Sequence, residues 1–78
     1  MKSLLTCLRQ MSGRRYRWAT MFYSPEVLGI DSLTFVELVA LIESEWGTAV
    51  PDNLLVPLYK MKLIRWRRAI FRAKKQNL

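Results

Sequence analysis

The chain has no histidine and a single cysteine, Cys7. The first lack removes the usual general base and the commonest metal ligand. The second excludes an internal disulfide and a cysteine-rich zinc site. Long hydrophobic runs are also missing. Residues 38–42 form the longest unbroken apolar stretch, and a membrane-spanning helix needs ~20 such residues. Acids are scarce, with 6 Asp+Glu against 13 Lys+Arg and a net charge of +7. Such an excess first points to nucleic acid or an anionic membrane. Yet 51% of the residues are hydrophobic and only 24% charged, too apolar a balance for a disordered basic tail. Length adds a last exclusion. A chain of 78 residues is one small domain, residues 1–78, and buries ~60–65% of its unfolded surface. That leaves no room for a barrel, a doubly wound nucleotide-binding fold or a deep enclosed active site.

What is present is unevenly placed. The acids are Glu26, Asp31, Glu37, Glu43, Glu45 and Asp52, all between residues 26 and 52. Every base lies outside that window. Lys2, Arg9, Arg14, Arg15 and Arg17 come before it. Lys60, Lys62, Arg65, Arg67, Arg68, Arg72, Lys74 and Lys75 come after it. The chain is therefore basic, acidic, then basic, and its middle needs a separate reading.

Leu4, Leu5, Leu8 and Met11 share one face and predict a first helix over about 2–11, stopped by Ser12-Gly13. Residues 14–30 show no sustained period, and a long loop is predicted over 12–30, held down by Trp18, Phe22, Val27 and Leu28. The clearest helix is 31–46. Asp31 is a good N-cap and places negative charge at the positive end of the helix dipole. Phe35, Leu38, Val39, Ile42 and Trp46 follow i, i+3, i+4, i+7, i+11 and form one core stripe. Leu33, Val36, Glu37, Ala40 and Ser44 gather on the other side, as a small apolar strip edged by acid. Gly47 ends this helix. Asp52 or Asn53 would cap a short third helix over about 52–56. Pro57 would then open a final helix over about 58–75, with Tyr59, Leu63, Trp66, Ile70 and Ala73 as its apolar seam. The expected fold is all-α, a small four-helix bundle of three main helices and one short one, with a long first loop.

Leu28-Gly29-Ile30-Asp31-Ser32-Leu33 resembles the attachment-site motif of acyl carrier proteins. The likeness runs on without a gap through residue 52. It takes in Val36-Glu37-Leu38-Val39, the acids Glu43 and Glu45, the aromatic Trp46 and the turn Pro51-Asp52. The resemblance implies a carrier and not an enzyme. Ser32 would accept a 4′-phosphopantetheine arm from coenzyme A, delivered by a phosphopantetheinyl transferase. The arm's thiol would hold acyl groups as thioesters for fatty-acid, polyketide or related biosynthesis. An aminoacyl or peptidyl carrier of a nonribosomal-type pathway is the alternative within the class. Asp31 and Leu33 would serve transferase recognition. Leu33, Val36 and Ala40 would dock acyl-loading and acyl-processing enzymes, with Glu37 and Glu43 pairing to bases on those partners. A helix start with free backbone N–H groups suits a phosphate, so the local physics agrees.

Some features depart from that family. Its members are usually acidic overall, and Thr34 and Ser44 stand where acids are common. The basic C-terminal helix offers an anionic membrane surface as a further partner, with nucleic acid the less favoured one. A decayed homologue acting as such a basic module is the alternative of another class. Cys7 is expected to be a small apolar core residue. The carrier is expected to be monomeric and cytoplasmic. The Arg-rich, acid-free first 23 residues leave a mitochondrial presequence as the other possibility.

Overall fold

The computed structural model describes residues 2–76, with side chains as far as Ala73. Four α-helices follow in order: α1 (Leu4–Ser12), α2 (Ser32–Trp46), α3 (Asp52–Lys60) and α4 (Trp66–Gln76). Two 3-10 turns interrupt the connections, one at Trp18–Phe22 and one at Leu63–Arg65. The described residues contain no strand. The expected all-α four-helix architecture is the one observed.

The first two helices carry their own end signals. Ser3 caps α1 by accepting from the Thr6 amide at 3.2 Å, and Asp31 caps α2 by accepting from the Thr34 amide at 2.7 Å. Gly47 closes α2 with φ +60°, a left-handed conformation that costs little without a Cβ. Between these ends α2 buries all five stripe residues, Phe35, Leu38, Val39, Ile42 and Trp46. They pack with Leu4, Cys7 and Leu8 from α1, Leu58 from α3, and Leu63, Trp66 and Ile70 from the last part of the chain. Burial pushes the Cys7 thiol up from its ordinary value, which suits a packed apolar group.

The second half of the chain departs from expectation. The short helix over about 52–56 runs on to Lys60, and Pro57 lies inside it instead of opening a final helix over about 58–75. Pro57 is exposed, as is Asn53, whose carbonyl loses its helical donor to the proline, so water can take that bond. Neither Asp52 nor Asn53 caps α3. Pro51 holds the N-cap position and makes no side-chain bond. The break comes at Met61, which is extended at φ −96°, ψ 141°. It is stabilised from a distance. The buried Trp66 indole N–H donates to the Leu58 carbonyl at 3.0 Å and to the Met61 carbonyl at 3.3 Å. The Leu58 carbonyl also accepts from the Met61 amide at 3.2 Å, and the Met61 carbonyl lies past the end of the helix, where no intrahelical donor follows. The expected seam is thus split between two helices and a turn, although Leu63, Trp66 and Ile70 are still buried. Lys74 and Lys75 have side chains outside the described residues.

The loop before α2 is also held differently. Trp18, Phe22 and Val27 are 59%, 48% and 68% exposed and do not pin it, while Leu28 is half-buried against the core. Ser24, Pro25 and Ile30 are the buried residues. Tyr59 of α3 clamps the loop at two points. Its carbonyl accepts from the Glu26 amide at 3.1 Å, and its hydroxyl donates to the Ile30 carbonyl at 2.7 Å. Seventeen loop residues without a period give no local indication of which side turns inward.

Candidate functional site

Asp31 and Ser32 sit where this clamped loop turns into α2. Gly29 makes that turn at φ +73°, with open space where a Cβ would stand. Only backbone conformation therefore resists a side chain there, by ~1–2 kcal/mol. Asp31 is fully exposed, and Thr34 holds its carboxyl below the usual carboxylate range, first through the backbone amide and then through the hydroxyl. The carboxylate is thereby fixed beside the first turn of α2.

Ser32 is the first residue of α2 and is exposed. Its hydroxyl makes no hydrogen bond among the described residues. Asp31 already occupies two of the early amides of α2. Its carboxylate takes Thr34 N–H, and its carbonyl takes Phe35 N–H at 2.9 Å. The amides of Ser32 and Leu33 are left to face outward at the positive end of the helix dipole. A nucleophilic oxygen, two free amides and no covering side chain form a site open to a phosphate ester. The residues present fit a phosphopantetheine arm joined at Ser32.

The neighbouring strip is open as well. Leu33 and Val36 are 68% and 53% exposed, and Glu37, Ala40 and Ser44 are exposed with them. Glu43 stands apart from this group. It is half-buried, and its Oε2 accepts from the Val50 amide at 2.8 Å. That bond ties the end of α2 to the turn before α3, so Glu43 has a structural task and little freedom to meet a partner's base. Two residues on, Glu45 faces Lys2 at 3.8 Å, a partly exposed pair of small energetic weight.

Two residues join the site without a signal in their local sequence. Arg14 borders a shallow groove in front of α2 that also includes Tyr16, Leu28, Asp31 and Glu37. Tyr59 holds the residue before Asp31 in place through its hydroxyl. Both are brought here by the path of the loop, which spacing in the chain does not encode. Among the described residues no cluster of side chains could hold a metal ion.

Comparison with known proteins agrees with this geometry. Residues 26–57 match the family model described as a phosphopantetheine attachment site, and that segment contains the end of the loop, Ser32, all of α2 and the start of α3. No curated protein and no solved structure matches the chain. That attachment segment, set in an all-helical bundle, is consistent with a carrier domain of the acyl carrier protein family, and 4′-phosphopantetheine is the cofactor that such an attachment site bears.

Proposed function

We propose that Ser32 is the attached residue and that the chain carries acyl intermediates as thioesters for fatty-acid, polyketide or related biosynthesis. The observation that carries this reading is the exposed Ser32 hydroxyl at the open start of α2, inside the matched segment. Its Oγ would form a bond to phosphorus in the pyrophosphate of coenzyme A. The phosphoanhydride bond would break, adenosine 3′,5′-bisphosphate would leave, and the hydroxyl proton would pass to a base of the transferase. Asp31, fixed by Thr34, would face the transferase's metal and coenzyme A.

The catalytic groups belong to the partner enzymes. This chain supplies position. The amides of Ser32 and Leu33 would steady the phosphodiester, and Leu33, Val36 and Ala40 would meet an apolar partner surface. Glu37 would steer basic partners during encounter. Glu43 is left out of this role because its carboxylate is engaged internally.

The test is an intact mass after incubation with coenzyme A and a broad-specificity phosphopantetheinyl transferase. One added phosphopantetheine is expected on the wild type and none on Ser32→Ala. A wild-type mass left unchanged by several transferases would overturn the reading. An arm on Ser32→Ala would move it to another residue.

A further inference from the structure

The outer face of α4 carries a second surface that the carrier role leaves unused. Arg65, Arg67, Arg68 and Arg72 are exposed and line an open groove with Ile64 and Phe71. Arg65, Arg68 and Arg72 also border an adjoining depression with Leu54, Met61 and Ala69. No acid lines either hollow. Among the described residues the one ion pair is Lys2 with Glu45, so none of these four guanidinium groups has a carboxylate within reach.

Apolar side chains adjoin this charge. The two 3-10 turns lie against each other, joined by the Leu63 amide donating to the Tyr23 carbonyl at 3.1 Å. Met21 of the first turn shares a further hollow with Ile64 and Arg67. From these turns Trp18, Phe22 and Ile64 reach solvent, the first two braced edge to face with ring centroids 5.1 Å apart. Exposed aromatic and aliphatic side chains on two joined turns, with Ile64 sharing its groove with unpaired arginines, offer a mixed surface. Its apolar part needs an apolar partner, and its cationic part needs an anionic one.

We propose that this face binds the surface of an anionic phospholipid membrane. The arginines would meet headgroup phosphates, while Trp18, Phe22 and Ile64 would enter the interfacial layer. Indole and phenyl rings favour that layer, and arginine stems lie along apolar surface while their heads stay with the phosphates. A nucleic acid fits less well. Phe71, the aromatic ring of the cationic groove, is stacked on Trp46 at 6.1 Å and covered by Arg67 at 6.0 Å, so it offers no face to a base. The aliphatic Ile64 has no task in reading a phosphate backbone. No helix among the described residues is long and apolar enough to cross a membrane, so the contact is a peripheral one.

The geometry suits a carrier. Trp66 and Phe71 of α4 rest on Phe35 and Trp46, which belong to the buried side of α2. The outer face of α4 therefore lies across the bundle from Leu33, Val36 and Ala40. A membrane-bound molecule would keep Ser32 and its strip turned to the aqueous side. Membrane binding itself does not depend on the attachment reaction.

Vesicle sedimentation of the full chain tests this, with phosphatidylcholine vesicles made with and without phosphatidylglycerol. Partitioning onto the anionic vesicles is expected to be at least ~tenfold stronger than onto neutral ones and to weaken with salt. Tryptophan emission should shift to the blue on binding. Trp66 and Trp46 are already buried, so the shift reports Trp18. Arg65→Glu/Arg68→Glu/Arg72→Glu should lower partitioning by more than ~tenfold. Trp18→Ser/Ile64→Ser should abolish the blue shift and weaken binding several-fold. Arg14→Glu/Arg15→Glu, in the other basic cluster, should have the smaller effect. All of these positions are exposed, and circular dichroism checks that the variants remain helical. Equal binding to neutral and anionic vesicles would overturn the proposal. So would an Arg14/Arg15 reversal as damaging as the α4 reversal, or a single-stranded RNA that outcompetes the vesicles. Ser32→Ala should bind vesicles as the wild type does, so failure here and failure of the carrier reading are told apart.

Discussion

Helices α2 and α4 both leave apolar side chains in water, and they do so in opposite company. On α2, Leu33 and Val36 stand with Glu37 and begin at a capped, outward-facing helix start. On and just before α4, Ile64 stands among Arg65, Arg67 and Arg68. The two helices are also held in place differently. Asp31 and Gly47, both local, mark the ends of α2. The start of α4 has no capping side chain in the turn before it, and its position depends on an indole bonded to the carbonyls of α3. The contrast teaches that the net charge of +7 describes neither face. The Glu37 carboxylate and the guanidinium groups of Arg65, Arg67 and Arg68 lie on separate sides of one small bundle.

Breaking the support of α4 should have the largest effect. Trp66 is fully buried, lies edge-on to Phe35 at 5.8 Å and holds two carbonyls. Trp66→Ala is expected to cost ~3–5 kcal/mol, most of the stability of a domain this size. Trp66→Phe keeps a ring but takes the indole donor from the Met61 carbonyl and leaves the Leu58 carbonyl with the Met61 amide alone, at ~1–3 kcal/mol. Urea denaturation followed by circular dichroism measures both. A phenylalanine variant as stable as the wild type would show that the indole bonds do not position α4.

Reversing charge on the other face should act on rate and leave the fold intact. Glu37 is exposed and bonded to nothing among the described residues. Glu37→Lys should slow transfer of the arm several-fold at low salt, with the gap closing as salt screens the encounter. Thermal melts should coincide with those of the wild type. Equal transfer rates at low salt would remove electrostatics from the α2 face.

A smaller effect is expected where the loop is tied to α3. Tyr59→Phe removes the hydroxyl that donates to the Ile30 carbonyl, at ~0.5–1.5 kcal/mol. Hydrogen exchange should rise at Ile30 and its neighbours before it rises in α2. Uniform exchange across both segments would mean that the clamp is not local.

The smallest effect concerns the α2 cap and depends on pH. The carboxyl of Asp31 titrates lower in the folded chain than in the unfolded one. Its contribution is therefore present above the unfolded carboxylate range and lost as pH falls through the folded value. Asp31→Asn keeps a capping side chain without the charge. Melting temperatures of the two proteins should differ slightly near neutral pH and converge as pH falls through the lowered folded value of Asp31. A gap that persists in acid would assign the difference to something other than ionisation.

Most of α2 was legible in the chain because each of its signals is local. The cap, the glycine and five apolar residues at helical spacing lie within one segment, and all five are buried. The outward placement of Ser32, Leu33 and Val36 follows from the same spacing. Glu43, which the resemblance alone assigned to partner docking, has its carboxylate on the Val50 amide, a bond that depends on a turn seven residues on. Pro57 misled for the converse reason. A local stop signal was overridden because the proline faces solvent and the helix around it buries Leu58.

The helical class, the start and end of α2, and the serine that opens it are all written locally in the chain. Each depends on backbone preferences and side chains within a turn or two of one another. Where α3 stops and α4 begins, which loop residues are buried, and which carboxylate is engaged internally depend on packing between distant segments. Those outcomes rest on Trp66, Tyr59 and Glu43 reaching backbone groups that folding alone brings near. The meeting of the two 3-10 turns, which sets Met21 beside Ile64 and Arg67, has the same origin, because these residues are far apart along the chain.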